Sequence, residues 1–234
     1  FFEWFAEEAT RTYGHTVPSP LPGVRNVVQM QPVGAAGLIT PWNFPAAMIT
    51  RKAAPALASG CTVVIKAPAE TPFSALAFAH LAEQVGFPKG TINVVTCAKG
   101  DNEIAVGKEL CENPTVRKIS FTGSTPVGST LMELAAKNIV KSSMELGGNA
   151  PLIVFDDADL DRAIDGAILA KMRNGGQTCV AANRMFVQEG IADAFIEGFT
   201  AKMAAFKLGN AMNKDVDLGP VIDDRAVARL THLV

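Results

Sequence analysis

Between residues 34 and 146 the hydrophobic and polar positions switch repeatedly between two patterns. Short strand-like runs recur: GAAGLIT (34–40), CTVVIK (61–66), GTINVVT (90–96), VRKISFTG (116–123) and VKSSMEL (140–146). Between them lie longer stretches whose apolar residues return every three or four positions, at 45–60, 71–86, 102–113 and 125–138. The first pattern suits strands covered on both faces, the second amphipathic helices. Pro72 and Gly86 bracket the second helix, with proline at the entry and glycine at the exit. Strands alternating with helices predict an α/β fold, a doubly wound parallel sheet of Rossmann-like type, running to about residue 145.

The flanks are less regular. FFEWFAEEAT (1–10) has the spacing of an amphipathic helix, residues 14–26 are rich in proline and glycine and read as a connecting segment, and VVQMQPVG (27–34) suits an extended arm or strand. After residue 146 come a strand (152–156), a helix (158–172) capped by Asp159 or Asp156, a glycine-rich loop, a strand (184–190), a helix (191–206) and a further helical pattern to residue 234. These predict the start of a second α/β unit, 146–234, that stops before closing a domain of its own. Both ends fall inside helical patterns and no methionine opens the chain, so an internal segment of a longer protein is expected, and any targeting peptide would lie outside it.

Composition narrows the classes. The chain has 234 residues, 48% hydrophobic and 19% charged, as in an ordinary globular protein. A net charge of −2 provides no basic field for nucleic acid or an anionic membrane. No apolar run reaches the roughly 18 residues a membrane span needs. Cys61, Cys97, Cys111 and Cys179 form no CxxC pair, and with only three histidines a metal site is not expected. Four cysteines in a chain of this length do not suggest a secreted disulfide framework. A reducing compartment follows, the cytoplasm first, with a mitochondrial one left open.

In doubly wound sheets ligands bind beyond the carboxyl ends of the strands, which singles out four loops. FTGSTPVG (121–128) joins a strand to a helix with small residues, Gly123, Ser124 and Gly128, that let an anion approach a helix N-terminus; by itself it also reads as a tight turn. Lys66 ends an apolar strand, as a solvated terminus or as a contact to a ribose hydroxyl or phosphate. Glu145, at a strand end before two glycines, is a general base if held in a cleft and a solvated acid if not. Asn43 lies between Trp42 and Phe44 with a proline on each side, and its amide either stabilises a turn or donates to a developing oxyanion. To these is added Cys179 in RNGGQTCV. Its polar, glycine-rich approach argues against a core thiol, and no histidine lies nearby in sequence to pair with it.

PWNFP, FTGS, MELGG and GQTC, in this order and spacing, resemble the aldehyde dehydrogenase superfamily over the whole chain. The resemblance implies Cys179 as nucleophile, Glu145 as general base, and the Asn43 side chain with the Cys179 backbone N–H as oxyanion hole. It implies a dinucleotide held by Thr40, Pro41, Trp42, Lys66, Ala69, Glu70, Gly123, Ser124, Gly128 and Leu146. Residues 1–145 would be the dinucleotide-binding domain and 146–234 the first part of a catalytic domain. Arg51, eight positions after Asn43, and Arg173, six before Cys179, are similar to arginines of the succinate-semialdehyde dehydrogenase branch that bind a substrate carboxylate, a pairing guanidinium groups suit well.

The expected reaction is oxidation of succinate semialdehyde to succinate. Glutarate semialdehyde on the same machinery, a cysteine acyltransferase or hydrolase, and a nucleotide-binding module without turnover are the alternatives. Where NAD-preferring members carry a ribose-binding glutamate this chain has Ala69, with Glu70 displaced by one. NADP or dual use is therefore expected, NADP favoured. Ala181 replaces a second cysteine found in some members, so no disulfide switch is expected there. The family's downstream cofactor glutamate, substrate loop and oligomerisation strand fall beyond Val234. The chain alone is therefore expected to lack full activity, and its parent to be a homo-oligomer.

Overall fold

The computed structural model describes residues 1–233, so Val234, last in the predicted closing helical pattern, lies outside the described residues. The chain divides into two compact units, Phe1–Leu146 and Gly147–Val234. The first unit opens with α1 (Phe2–Glu8) and a 3₁₀ turn. Residues 14–26, expected as a bare connection, instead contribute to an antiparallel ribbon in which β1 (His15–Pro18) pairs with β2 (Arg25–Val28). The prolines that suggested a linker are accommodated because Pro18 closes its strand, where a missing N–H costs little, and the others occupy the turn.

The remainder of this unit is a five-stranded parallel sheet made of β3 (Ala35–Ile39), β4 (Val63–Lys66), β5 (Ile92–Val95), β6 (Val116–Gly123) and β7 (Lys141–Leu146), in the order β5-β4-β3-β6-β7. The connecting helices are α2 (Pro45–Ala58), α3 (Phe73–Gln84), α4 (Asp101–Glu112) and α5 (Thr125–Ala136). The doubly wound α/β sheet expected from the sequence is thus present. Ile49, Ala53 and Ala75 from α2 and α3 close over Ala36, Leu38, Val63 and Ile65. Leu110, Cys111, Leu131 and Ala135 from α4 and α5 close over Ile39, Val116, Ile119 and Phe121. Strand growth reverses direction between β3 and β6, which creates a crevice at their carboxyl ends, the usual ligand position in such sheets.

The second unit pairs β8 (Ala150–Val154) in parallel with β9 (Ala182–Val187). The crossover runs through α6 (Leu160–Met172), and α7 (Glu189–Ala204) follows. Val154, Ile164, Ala167 and Phe195 form its core, and the Phe195 and Phe199 rings stack at 5.8 Å. Asp159, not Asp156, caps α6, accepting from the Arg162 N–H at 3.2 Å. The strand expected at 184–190 starts two residues earlier and ends at Val187. α8 (Asp224–Leu233) ends the described chain.

Candidate active site

The crevice in the first unit collects most of the residues singled out above. β3 delivers buried Thr40, whose hydroxyl donates to the Lys66 carbonyl at 3.4 Å. Half-buried Pro41, Trp42 and Asn43 follow, before Pro45 starts α2 in the first-turn position that its missing N–H favours. The Thr71 hydroxyl donates to the Trp42 carbonyl at 3.4 Å, which ties the β4–α3 loop to this one. Arg51, on the second turn of α2, lies with its guanidinium 5.9 Å from the centroid of the Phe1 ring.

Lys66 ends β4 almost fully buried, its ammonium paired with Glu103 in the first turn of α4. Ala69 is half-buried in the loop that follows, and Glu70 next to it forms an ion pair with Lys99 at 2.7 Å. Gly123 and Ser124 lead from β6 into α5. Ser124 sits at the N-cap without a side-chain hydrogen bond to the helix, so the first-turn N–H groups point to the crevice unfilled by it. Gly128 is held close to β7: a Cβ there would meet Leu146 Cδ2 at 2.6 Å.

On the α2 side of the sheet, β6 and β7 present a polar seam. Side chains alternate along a strand, and Lys118, Ser120 and Thr122 share one face. The register sets Ser120 beside Ser143 and Thr122 beside Glu145. Lys118 donates to Ser143 Oγ at 2.7 Å, and Lys52 of α2 donates to Ser120 Oγ at 2.9 Å. Glu145 itself is exposed. Burial lowers the Lys52 pKa from 10.5 to about 8; the Glu145 carboxylate opposes the shift, and the cations of Arg51 and Lys118 add to it.

Sequence reading missed Lys52. The signal was present, since Lys52 falls in the same helical stripe as Met48, Ile49 and Ala53, all of them buried. Buried Thr122 Oγ1, at the mouth of the crevice, has no hydrogen-bond partner among the described residues. An orphaned hydroxyl, a buried cation at a strand end and an unfilled helix N-terminus form a donor set that fits a ligand rich in hydroxyl and phosphate oxygens.

In the second unit, α6 ends in the tight turn Arg173–Gly176, where Asn174, Gly175 and Gly176 have φ of 54°, 65° and 75°. Two glycines and an asparagine are the residues that tolerate this left-handed backbone. The Gln177 side chain locks the turn, donating to the Asn174 carbonyl at 3.0 Å and accepting from the Ile222 N–H at 2.9 Å. Cys179 follows, half-buried, in a turn closed by the Ala181 N–H donating to the Thr178 carbonyl at 3.3 Å. Arg173 lines a cavity of about 710 Å³ with Met172, Gln177, Phe206 and Pro220. All four cysteines are free thiols. Among the described residues no cluster of three or more His, Cys, Asp or Glu side chains is placed to hold a metal, and no helix is long and apolar enough to cross a membrane.

The chain has counterparts among known proteins along almost its whole length. The model of the aldehyde dehydrogenase family matches residues 1–234. A glutarate-semialdehyde dehydrogenase of Pseudomonas putida is 57% identical over 98% of this chain and 47% of its own length. The NADP(+) succinate-semialdehyde dehydrogenase GabD of Escherichia coli is 56% identical, again over 98% of this chain and 47% of its own. The crystal structure of an NADP-dependent enzyme of E. coli superposes with a TM-score of 0.94 at 56% identity, covering 98% of this chain and 47% of that one. The chain thus spans about half the length of the relatives it matches.

Proposed function

This chain belongs to the aldehyde dehydrogenase family, and from that membership we propose that the protein oxidises a short aldehyde bearing a distal carboxylate to the corresponding acid. Succinate semialdehyde is the leading substrate, with NADP favoured over NAD. The observation that carries this reading is identity of 56% and 57% to relatives named for succinate and glutarate semialdehydes. Glutarate semialdehyde is the second reading, favoured by the P. putida relative at 57%.

The residues divide the work as follows. The Cys179 thiolate adds to the aldehyde carbon, and the Asn43 amide and the Cys179 N–H donate to the oxyanion that forms. The prolines on either side of Asn43 restrict the backbone carrying that amide, which favours a preorganised donor. A nicotinamide dinucleotide, when bound, supplies the acceptor for the aldehydic hydrogen, leaving a thioester on Cys179. Glu145 takes a proton from water as the water attacks the thioester, which releases the acid and restores the thiolate. A carboxylate in this role explains why the chemistry needs no histidine. Lys66, Ser124, Thr122 and the N-terminus of α5 would hold the dinucleotide, with Thr40, Pro41, Trp42, Ala69, Glu70, Gly123, Gly128 and Leu146 around it.

Arg51 and Arg173 would pair with the distal carboxylate. The test is reduced-cofactor absorbance on the whole protein with succinate semialdehyde, glutarate semialdehyde and an uncharged aldehyde, each with NAD and NADP. Arg51→Leu and Arg173→Leu should raise KM for the two acids about 10–100-fold and leave the uncharged aldehyde nearly unchanged. Unaltered KM values for the acids would refute the carboxylate assignment. Absence of oxidation with every aldehyde would refute the reaction class.

A further inference from the structure

We propose that Glu103 sets how strongly a 2′-phosphate is accepted at the nucleotide crevice, acting through Lys66 as a positioning and specificity-determining residue. The inference rests on the dinucleotide reading above. In a doubly wound sheet, the carboxyl end of the second strand is where the adenosine ribose is discriminated: an acid there takes free ribose hydroxyls and a cation takes a 2′-phosphate. β4 is that second strand, and its terminal residue is Lys66.

The ammonium of Lys66 is already engaged by the Glu103 carboxylate, which belongs to the next crossover helix but one. A second ion pair, Glu70 with Lys99 at 2.7 Å, links the loops that follow β4 and β5. Two lysines and two glutamates therefore face each other across the ends of β4 and β5. With Ala69 in the half-buried position before Glu70, the loop itself brings no carboxylate at 69.

The consequence follows from charge. The Lys66 side chain is 8% exposed and that of Glu103 is 32% exposed, so solvent screens their interaction only partly. A 2′-phosphate taking Lys66 must displace Glu103 while remaining close to its negative charge, which is unfavourable at a few ångströms. A free 2′-hydroxyl carries no charge and can donate to Glu103 where it stands. Glu103 therefore restrains NADP use that the loss of an acid at position 69 would otherwise permit, and gives dual specificity weighted to NADP.

The test is calorimetric titration of the whole protein with 2′,5′-ADP and with 5′-AMP, in wild type, Glu103→Gln, Lys66→Met and the double variant. Glutamine preserves shape and an acceptor oxygen for Lys66 while removing the charge. Glu103→Gln should tighten 2′,5′-ADP about tenfold with AMP changed less than about twofold. The gain should vanish in the Lys66→Met background, because the two residues act as a unit. Parallel changes for both nucleotides, or a gain that persists without Lys66, would overturn the role of Glu103 and leave the dinucleotide reading standing. If neither nucleotide binds the wild type, both fall. Lys66→Met keeps an unbranched apolar stem without the ammonium, and melting curves identify any variant that loses binding through unfolding.

Discussion

Lys52 offers a direct measurement of the polar seam under α2. The residue is 6% exposed, its ammonium donates to Ser120 Oγ at 2.9 Å, and it titrates at about 8 rather than 10.5 because burial disfavours the charge. The sign follows from linkage. Below the folded value both folded and unfolded chains carry the proton, and the folded state bears the full cost of the buried charge, about 3 kcal/mol for a drop of this size. Between the folded and unfolded values the unfolded chain binds more protons, so stability rises with pH and the cost disappears above about 10.5. Lys52→Met keeps the volume, removes the charge and forfeits one hydrogen bond of about 1 kcal/mol. The variant should therefore be about 2 kcal/mol more stable than wild type near pH 7. The two should cross near pH 10, with the variant about 1 kcal/mol less stable beyond that. Urea unfolding of the whole protein across this range, with equal slopes for both forms, measures the difference. A stability gap independent of pH would refute the reasoning, since it would mean that Lys52 titrates alike folded and unfolded.

Two further outcomes are expected. Iodoacetamide should modify half-buried Cys179 well before buried Cys61 and Cys111, and Cys179→Ser should lower oxidation at least about a thousandfold; mass-spectrometric mapping and initial rates check this, and equal labelling of all four thiols would count against a nucleophilic role. Thr122→Val, which removes the hydroxyl that has no partner among the described residues, should leave the unliganded protein as stable or about 1 kcal/mol more stable while weakening 5′-AMP, and a clear loss in melting temperature would contradict the orphaned state of that oxygen.

What the sequence revealed followed from local chemistry. The βα alternation was legible because each strand is a short run and each helix a repeat of three to four, and the loops after β3, β4, β6 and β7 could be located because they follow those runs. The Asp159 cap was visible as one of two candidates, and the competing Asp156 lies outside the helix start, its N–H bonded instead to Gln188 Oε1. The features that escaped depend on contacts distant in sequence. The β1–β2 ribbon was hidden by prolines that read as a linker. Lys52 was passed over because its partner, Ser120, lies 68 residues away. The pairing of Lys66 with Glu103, 37 residues on, has no local mark at all.

The strand order has a consequence for the way the first unit is assembled. β3, β4 and β5 are made and paired as successive neighbours, whereas β6 must return past both to the far side of β3. Residues 35–95 can close their three strands through connections between immediate neighbours, but the crevice between β3 and β6 does not exist until the fourth strand docks. A ligand of that crevice therefore has nothing to hold before β6 pairs with β3. It can act only from the docking of β6 onward, shielding a shape already made rather than templating it.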